Sequence, residues 1–177
     1  MDELLYSLGI NVDVAKLQDE LKYILTLTQW HPLNNQISVQ YRAGDEDTAW
    51  YSGGGKLGEW IDGKWSPFFD ERDFNVINPA LKGSYLEHVL TAMPVTAVRA
   101  RLMRLKSKSC YSVHVDRTPR YHIAIHTNPH ARFIFTKNNQ VHQIPADGNV
   151  YFANTVLEHT AMNGGQDDRV HLVFLAA

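Results

Sequence analysis

The amino-acid sequence predicts a mainly β protein. A sandwich or jelly roll spans residues 95–177, and helices from the first 94 residues cover it on one side. Three observations point there. From Val95 onward, short runs of alternating polarity follow one another between turn signals at 107–109, 118–119, 128–129, 137–139, 145–148 and 163–165. Apolar residues at helical spacing are confined to the first half. The chain has 177 residues, 44% of them hydrophobic, with no repeat, linker or low-complexity tract, so it reads as one domain long enough for a real hydrophobic core.

The elements follow in order. Val14, Leu17, Leu21, Ile24 and Leu25 form a stripe on a first helix that Asp13 caps and that fades before Trp30-His31-Pro32. Gln36–Arg42 alternates as a half-buried strand, with Ile37, Val39 and Tyr41 inward and Gln36, Ser38 and Gln40 outward. Gly53-Gly54-Gly55 is a flexible loop, and residues 59–65 form a hairpin turning at Asp62-Gly63. A second helix starts with Asn78 as cap and Pro79 in its first turn. It carries Leu81, Tyr85, Leu86, Val89 and Met93 and ends at Pro94.

Composition excludes several classes. A net charge of -2 argues against non-specific nucleic-acid binding, and one cysteine excludes both a disulfide framework and a Cys-rich zinc module. The acidic start MDELLYSLGINVD is no secretory signal, and no stretch approaches the roughly 18 apolar residues of a membrane span, so a cytoplasmic location is expected. Histidine is the unusual count: nine in all, seven of them at or beyond His114.

Three predicted strands separate an apolar face from a polar one. Tyr111, Val113 and Val115 oppose Cys110, Ser112, His114 and Asp116. Tyr121, Ile123 and Ile125 oppose Arg120, His122, Ala124 and His126. Val170, Leu172 and Phe174 oppose Arg169, His171 and Val173. Antiparallel sheets usually turn such faces to solvent, but His and Arg better suit the inside of a small barrel that holds an anion. His114 and Asp116, two residues apart on one strand face, can reach one ion, and His159 is the best third ligand. Two imidazoles and one carboxylate on one side of a metal form the facial set of non-haem Fe(II) oxygenases. Arg169, across a Gly-Gly turn from His159, can pair bidentately with a carboxylate at the back of the site, and Arg120 and His122 can hold a second anionic end. The alternative for each is a water-facing strand residue.

The stretches 98–105 (VRARLMRL), His114-Val115-Asp116, 120–129 (RYHIAIHTNP), 150–154 (VYFAN), His159 with Asn163, and 169–173 (RVHLV) together resemble the aspartyl/asparaginyl β-hydroxylase family of 2-oxoglutarate-dependent Fe(II) oxygenases. The resemblance covers about residues 95–175; residues 1–94 match loosely, as a variable helical portion. It implies a double-stranded β-helix, the cupin-like jelly-roll core. It implies Fe(II) on His114, Asp116 and His159, the distal carboxylate of 2-oxoglutarate on Arg169, and the nearer carboxylate on Arg120 with His122. Met103 lies on a strand bordering the pocket, more often as packing. Asp116 places the chain nearer to bacterial and phage-type members and free-proline cis-hydroxylases than to the animal enzymes that lack this carboxylate. The implied reaction takes O2 and 2-oxoglutarate to succinate and CO2 while an amino-acid side chain, free or peptidyl, is hydroxylated. Because the ligating imidazoles must be neutral, activity is expected to fall below about pH 6.

Further candidates surround this set. His126 and His171 share faces with His122 and Arg169, and Asn154 and Asn163 flank His159 as substrate contacts or turn residues. His130 and His142 read as solvent-facing, Cys110 as a buried inert thiol, and Trp50, Tyr51, Trp60 and Trp65 as a substrate rim or core. Two rivals stand beside the amino-acid reading: a dioxygenase of another small molecule, and a non-enzymatic cupin-like module that binds metal or nothing.

Overall fold

The computed structural model describes residues 4–177, with Trp60 described in its backbone only. In chain order the elements are β1 (Leu5–Asn11), α1 (Val14–Leu27), β2 (Gln36–Ser38), β3 (Gln40–Tyr41), β4 (Gly58–Ile61), β5 (Lys64–Pro67), β6 (Val76–Ile77), α2 (Tyr85–Thr91), β7 (Ala97–Leu105), β8 (Ser109–Cys110), β9 (Arg120–His126), β10 (Ala131–Phe135), β11 (Gln140–His142), β12 (Asn149–Ala153), β13 (His159–Asn163) and β14 (Arg169–Ala176). A six-stranded antiparallel sheet runs β1-β12-β9-β14-β7-β2, and a four-stranded sheet runs β11-β10-β13-β8. The two face each other as a jelly roll.

Two cores explain the layers. Between the sheets, Leu5, Leu105, Ala124 and Ala153 of the large sheet pack with Phe133, Phe135 and Ala161 of the small one. On the other side of the large sheet, Ile37, Leu102, Ile123, Ile125, Val150, Val170, Leu172 and Phe174 pack under Leu17, Leu21 and Ile24 of α1 and Leu86, Val89 and Leu90 of α2. The large sheet is therefore buried on both faces, and the helices lie on one side as the sequence predicts. No described helix is long and apolar enough to cross a membrane.

Local chemistry matches several expectations. Asp13 caps α1, accepting from the Lys16 amide at 3.2 Å. The β4–β5 hairpin turns through Asp62 (φ 48°) and Gly63 (φ 74°), the positive-φ pair of a two-residue turn. Four expectations are corrected. Leu25 is exposed, so the α1 stripe is narrower than predicted. The second helix is broken: Asn78 caps a short 3-10 turn at Pro79–Leu81, Gly83 turns with φ 76°, and Ser84 caps the separate α2. The strand at 36–42 divides at Val39, and its polar residues Gln36, Ser38 and Gln40 are buried rather than solvent-facing. The division follows Arg99 in β7, whose φ of 52° interrupts the ladder. The Gln40 side-chain amide patches the gap, donating to the Ala97 carbonyl at 2.9 Å and accepting from the Ala100 amide at 3.0 Å. The strand at 110–116 shrinks to β8 and one antiparallel bridge at His114, with Val113 and Val115 turned to solvent. The sequence reading has no counterpart for β1, which adds an edge strand to β12.

α1 and α2 are joined by a carboxylate. Glu20 of α1 accepts from the Tyr85 and Leu86 amides, the latter at 2.7 Å, at the N-terminus of α2. Glu20→Ala is expected to cost about 1–2 kcal/mol, read as a fall in Tm of roughly 2–8 °C. An unchanged melting curve would show that the bonds add nothing beyond what water supplies.

Candidate metal centre and cosubstrate pocket

Strand alternation and register deliver one row of polar side chains to the space between the sheets. His122, Val173, Arg101 and Ser38 lie across β9, β14, β7 and β2. Ala124, His171, Met103 and Gln36 form the next row, and Arg169 stands opposite Leu105. Arg120, His122, Arg169, His171, Arg101, Gln36 and Ser38 are all buried. The polar face expected on β9 and β14 is thus interior.

His114, Asp116 and His159 converge at the mouth of this interior. One ligand atom from each lies within 4.8 Å of the others, a set that can take one ion. Backbone pairing explains the meeting. The His114 amide donates to the His159 carbonyl at 3.0 Å, and the His159 amide donates back at 2.9 Å. The Asp116 amide donates to the Thr155 carbonyl at 2.8 Å, and the Thr155 hydroxyl donates to the Thr118 carbonyl at 2.9 Å, so the two ligand-bearing loops are stitched together. Each imidazole is also fixed in tautomer. A carbonyl only accepts, so Nδ1–H of His114 donates to Ser112 at 2.7 Å and Nδ1–H of His159 donates to Leu157 at 2.9 Å. Both Nε2 atoms are left with free lone pairs, as metal ligands need. Phe133 stacks on the His159 ring at 5.2 Å with 6° between planes. Burial lowers the His159 pKa, which keeps the ring neutral.

Behind the triad lies an ion network. Arg120 Nε approaches Asp116 Oδ2 at 3.2 Å, and its two terminal nitrogens reach Glu71 at 2.7 and 3.3 Å and the Thr118 hydroxyl at 2.6 Å. Glu71 also pairs with Arg99 and accepts from Thr118 at 2.9 Å. Burial pushes the Glu71 carboxyl up, but Arg120, Arg99 and Thr118 outweigh it and hold the group down at about 2.

Deeper in, Arg169 is buried with no carboxylate partner among the described residues; there its guanidinium meets only the two ring nitrogens of His171, at 3.0 and 2.9 Å. Burial draws the Arg169 pKa down to about 10, so it remains cationic at neutral pH. His122 lies 5.7 Å from His171, ring to ring, and both of its nitrogens are buried without a hydrogen-bond partner among the described residues. Burial beside Arg169 keeps His122 neutral. A lone buried cation and an unsatisfied imidazole need a ligand. A dicarboxylate such as 2-oxoglutarate fits them, and two nitrogens and a carboxylate oxygen fit a ferrous ion.

Other candidates land elsewhere. His126 is exposed at the end of β9, within electrostatic reach of Lys22 on α1. Asn163 is fully engaged in a turn: its Nδ2 donates to the Leu105 and Asp167 carbonyls at 3.1 and 2.9 Å, and its Oδ1 accepts from Asn128 and Gly165. Of its two expected roles, the turn role is the one the structure displays. Asn154 is half-buried, and its backbone bonds Leu4 and Leu157. Met103 is half-buried on the inner face, between Gln36 and His171. His130 is exposed, and His142 bonds Gln140. Cys110 is exposed, which corrects the expectation of a buried thiol. Trp50 packs against the helix-side core, Tyr51 bonds the Gln29 carbonyl, Trp65 is half-buried in the hairpin, and the Trp60 side chain lies outside the described residues. Sequence reasoning assigns no role to Glu71, Arg99, Arg101 or Gln36. Glu71 lies in a turn without periodicity. The inward position of Arg101 was legible from the alternation of β7.

This fold and donor set define the Fe(II)- and 2-oxoglutarate-dependent oxygenases. The family described as aspartyl/asparaginyl beta-hydroxylase matches residues 13–176, and the chain belongs to that family. It is a dioxygenase that uses Fe(II), 2-oxoglutarate and O2. No curated protein sequence matches it. Among solved structures, the 2-oxoglutarate complex of the viral collagen prolyl hydroxylase vCPH from Paramecium bursaria Chlorella virus-1 is 10% identical, with a TM-score of 0.52 over 99% of this chain and 98% of that one. A 2OG-Fe(II) oxygenase family oxidoreductase from Burkholderia pseudomallei is 12% identical, with a TM-score of 0.48 over 89% and 76% of the two chains. AviO1 from Streptomyces viridochromogenes Tue57 is 14% identical, with a TM-score of 0.49 over 98% and 89%. The vCPH likeness establishes the fold.

The Glu71 network predicts a pH-dependent contribution to stability. A carboxylate held at about 2 in the folded protein, against 4.5 as its ordinary value, stabilises by roughly 3 kcal/mol above pH 4.5. That contribution is lost as pH falls from 4.5 toward 2. The difference in denaturant stability between wild type and Glu71→Gln is expected to shrink over this window; a constant difference would refute the network's charge.

Proposed function

We propose that this dioxygenase hydroxylates an amino-acid side chain, free or within a polypeptide. His114, Asp116 and His159 hold the ferrous ion, and Arg169 holds the distal carboxylate of 2-oxoglutarate. The observation that carries the assignment is Arg169: a buried guanidinium lacking a carboxylate among the described residues, in the interior whose mouth the His-Asp-His set forms. His122 offers its unpaired nitrogens to the nearer end of the cosubstrate, and Arg120 holds Asp116 in place through Nε. A viral protein of the same fold is a collagen prolyl hydroxylase, which supports a fold able to act on a peptide.

When bound, the ferrous ion supplies the redox chemistry that turns 2-oxoglutarate and O2 into succinate and CO2 and places one oxygen atom in a substrate C–H bond. The protein's part is positioning. The Ser112 and Leu157 carbonyls keep both imidazoles in the ligating tautomer. The apolar wall of Phe133, Phe135 and Ala161 limits water around the inner ligand. Neutral His122 can accept or donate to the cosubstrate without adding charge.

Succinate formation with Fe(II), ascorbate and a panel of amino acids and peptides tests the reading, with a mass gain of one oxygen marking the substrate. Chelation is expected to abolish turnover and Fe(II) to restore it. His114→Ala and Asp116→Ala are expected to lose bound metal, and turnover with metal retained in both would end the ligand assignment. Arg169→Gln is expected to raise the KM for 2-oxoglutarate at least tenfold, the scale of one lost charge-assisted bond of about 1.5–3 kcal/mol.

A further inference from the structure

The jelly roll is open along one side. β2 ends the large sheet and β8 ends the small one, and a cleft of about 400 Å³ lies between these two edges. Gln36 of β2 forms one bank, and Cys110 and Tyr111 form the other. The volume suits a small molecule. The charge of the cleft is one-sided: Arg104 and Lys106 line it, and no carboxylate does. Arg104 is fixed over the Trp30 ring at 5.0 Å and donates to Asn35 Oδ1 at 2.7 Å. Its Nε is buried with no hydrogen-bond partner among the described residues, and Asp168 approaches another of its nitrogens only at 3.6 Å. Lys106 is exposed. Two cations at the edge of a cleft attract anions from solution.

The floor of the cleft is the wall of the Arg169 site. Leu105 lines the cleft and is registered with Arg169. Gln36 lines it and is registered with Met103, which is registered with His171. Tyr111 packs against the cluster that holds Leu105 and lies within electrostatic reach of Arg169. Its hydroxyl is held lightly, by the Arg104 carbonyl at 3.5 Å. The metal set lies at the other end. β13 starts at His159 and ends at Asn163, which pairs with Ser109 at the cleft. Four residues of strand span roughly 13 Å. A substrate seated over the ion covers the mouth and shuts that way to the inner ligand. We propose that the cleft between β2 and β8 is a second passage to the interior, by which 2-oxoglutarate enters and succinate leaves. Tyr111 is its movable side chain, and Arg104 and Lys106 draw the dianions to it. This rests on the proposed cosubstrate role of Arg169 and adds the route to it.

Exchange rates test this without turnover. The protein is loaded with Mn(II), and N-oxalylglycine, an unreactive 2-oxoglutarate analogue, is the probe. Its association is followed by stopped-flow fluorescence, its release by a chase with excess 2-oxoglutarate, and its Kd by calorimetry. Cys110 is the sole cysteine and is exposed at the cleft, so N-cyclohexylmaleimide places a plug at one position, with a methylthio adduct as the small control. The plug is expected to slow association and release alike, by roughly tenfold, and to leave Kd within about twofold, because a blocked passage raises the barrier without changing the end states. Ser109→Trp, on the same bank, is expected to act in the same way and stands in if the adduct unfolds the protein. Lys106→Glu is expected to slow association about threefold or more at low salt and to match the wild type near 1 M, where exposed charges are screened. Rates unchanged in both plugged forms, a Kd that weakens in step with the slower association, or a Lys106→Glu protein indifferent to salt overturns the passage and leaves the role of Arg169 standing. Failure of N-oxalylglycine to bind the unmodified Mn(II) protein overturns both.

Discussion

Burial of both faces of one sheet governs this molecule. The face under α1 and α2 is apolar and supplies cohesion through Leu102, Ile123, Leu172 and Phe174. The opposite face carries four guanidinium groups and two neutral imidazoles into a space where each polar atom needs a partner. Such a face is stable only with internal counterions or with ligands. Glu71 and Asp116 answer Arg99 and Arg120, and what they leave unanswered among the described residues is what the proposed cosubstrate site uses. The site is thus defined as much by its unsatisfied atoms as by its convergent ones.

The first half of the chain is part of the chemistry for the same reason. Glu71 comes from an irregular segment outside both sheets, yet it supplies the counterion for Arg120, which in turn holds Asp116. Gln40 repairs the ladder of β7 where Arg99 breaks it, and that break lets the Arg99 side chain reach the Gly53 and Gly55 carbonyls and Glu71. Backbone distortion, loop and ion network are therefore one device. It ties the segment of residues 53–74 to the mouth of the jelly roll.

Much of the fold was legible in the sequence because strand periodicity is local. Two-residue alternation assigned Arg120, His122, Arg169 and His171 to faces, and burial bears this out. The same logic misplaced Val113 and Val115, since a single bridge at His114 replaces the strand and leaves both valines in solvent. It also turned Gln36, Ser38 and Gln40 outward, because alternation distinguishes two faces without saying which meets water. Helix breaks followed short-range signals that compete: Asn78-Pro79 starts one turn, and Gly83-Ser84 starts another. The left-handed Arg99 has no sequence mark, since its cost is met by contacts with Gly53, Gly55 and Glu71.

By itself, the sequence determined the mainly β class with helices confined to the first half, the polar and apolar faces of β9 and β14, and a candidate trio of His114, Asp116 and His159. These follow from spacing along one strand or between neighbouring turns. Only the tertiary structure decided that the polar face is interior, that Nδ1 of each triad histidine is tied to a carbonyl, that Glu71 neutralises Arg99 and Arg120, and that Arg101 has no counterion among the described residues. Each of these depends on groups distant in sequence and close in space. Their energies come from desolvation, and desolvation is set by how the layers pack.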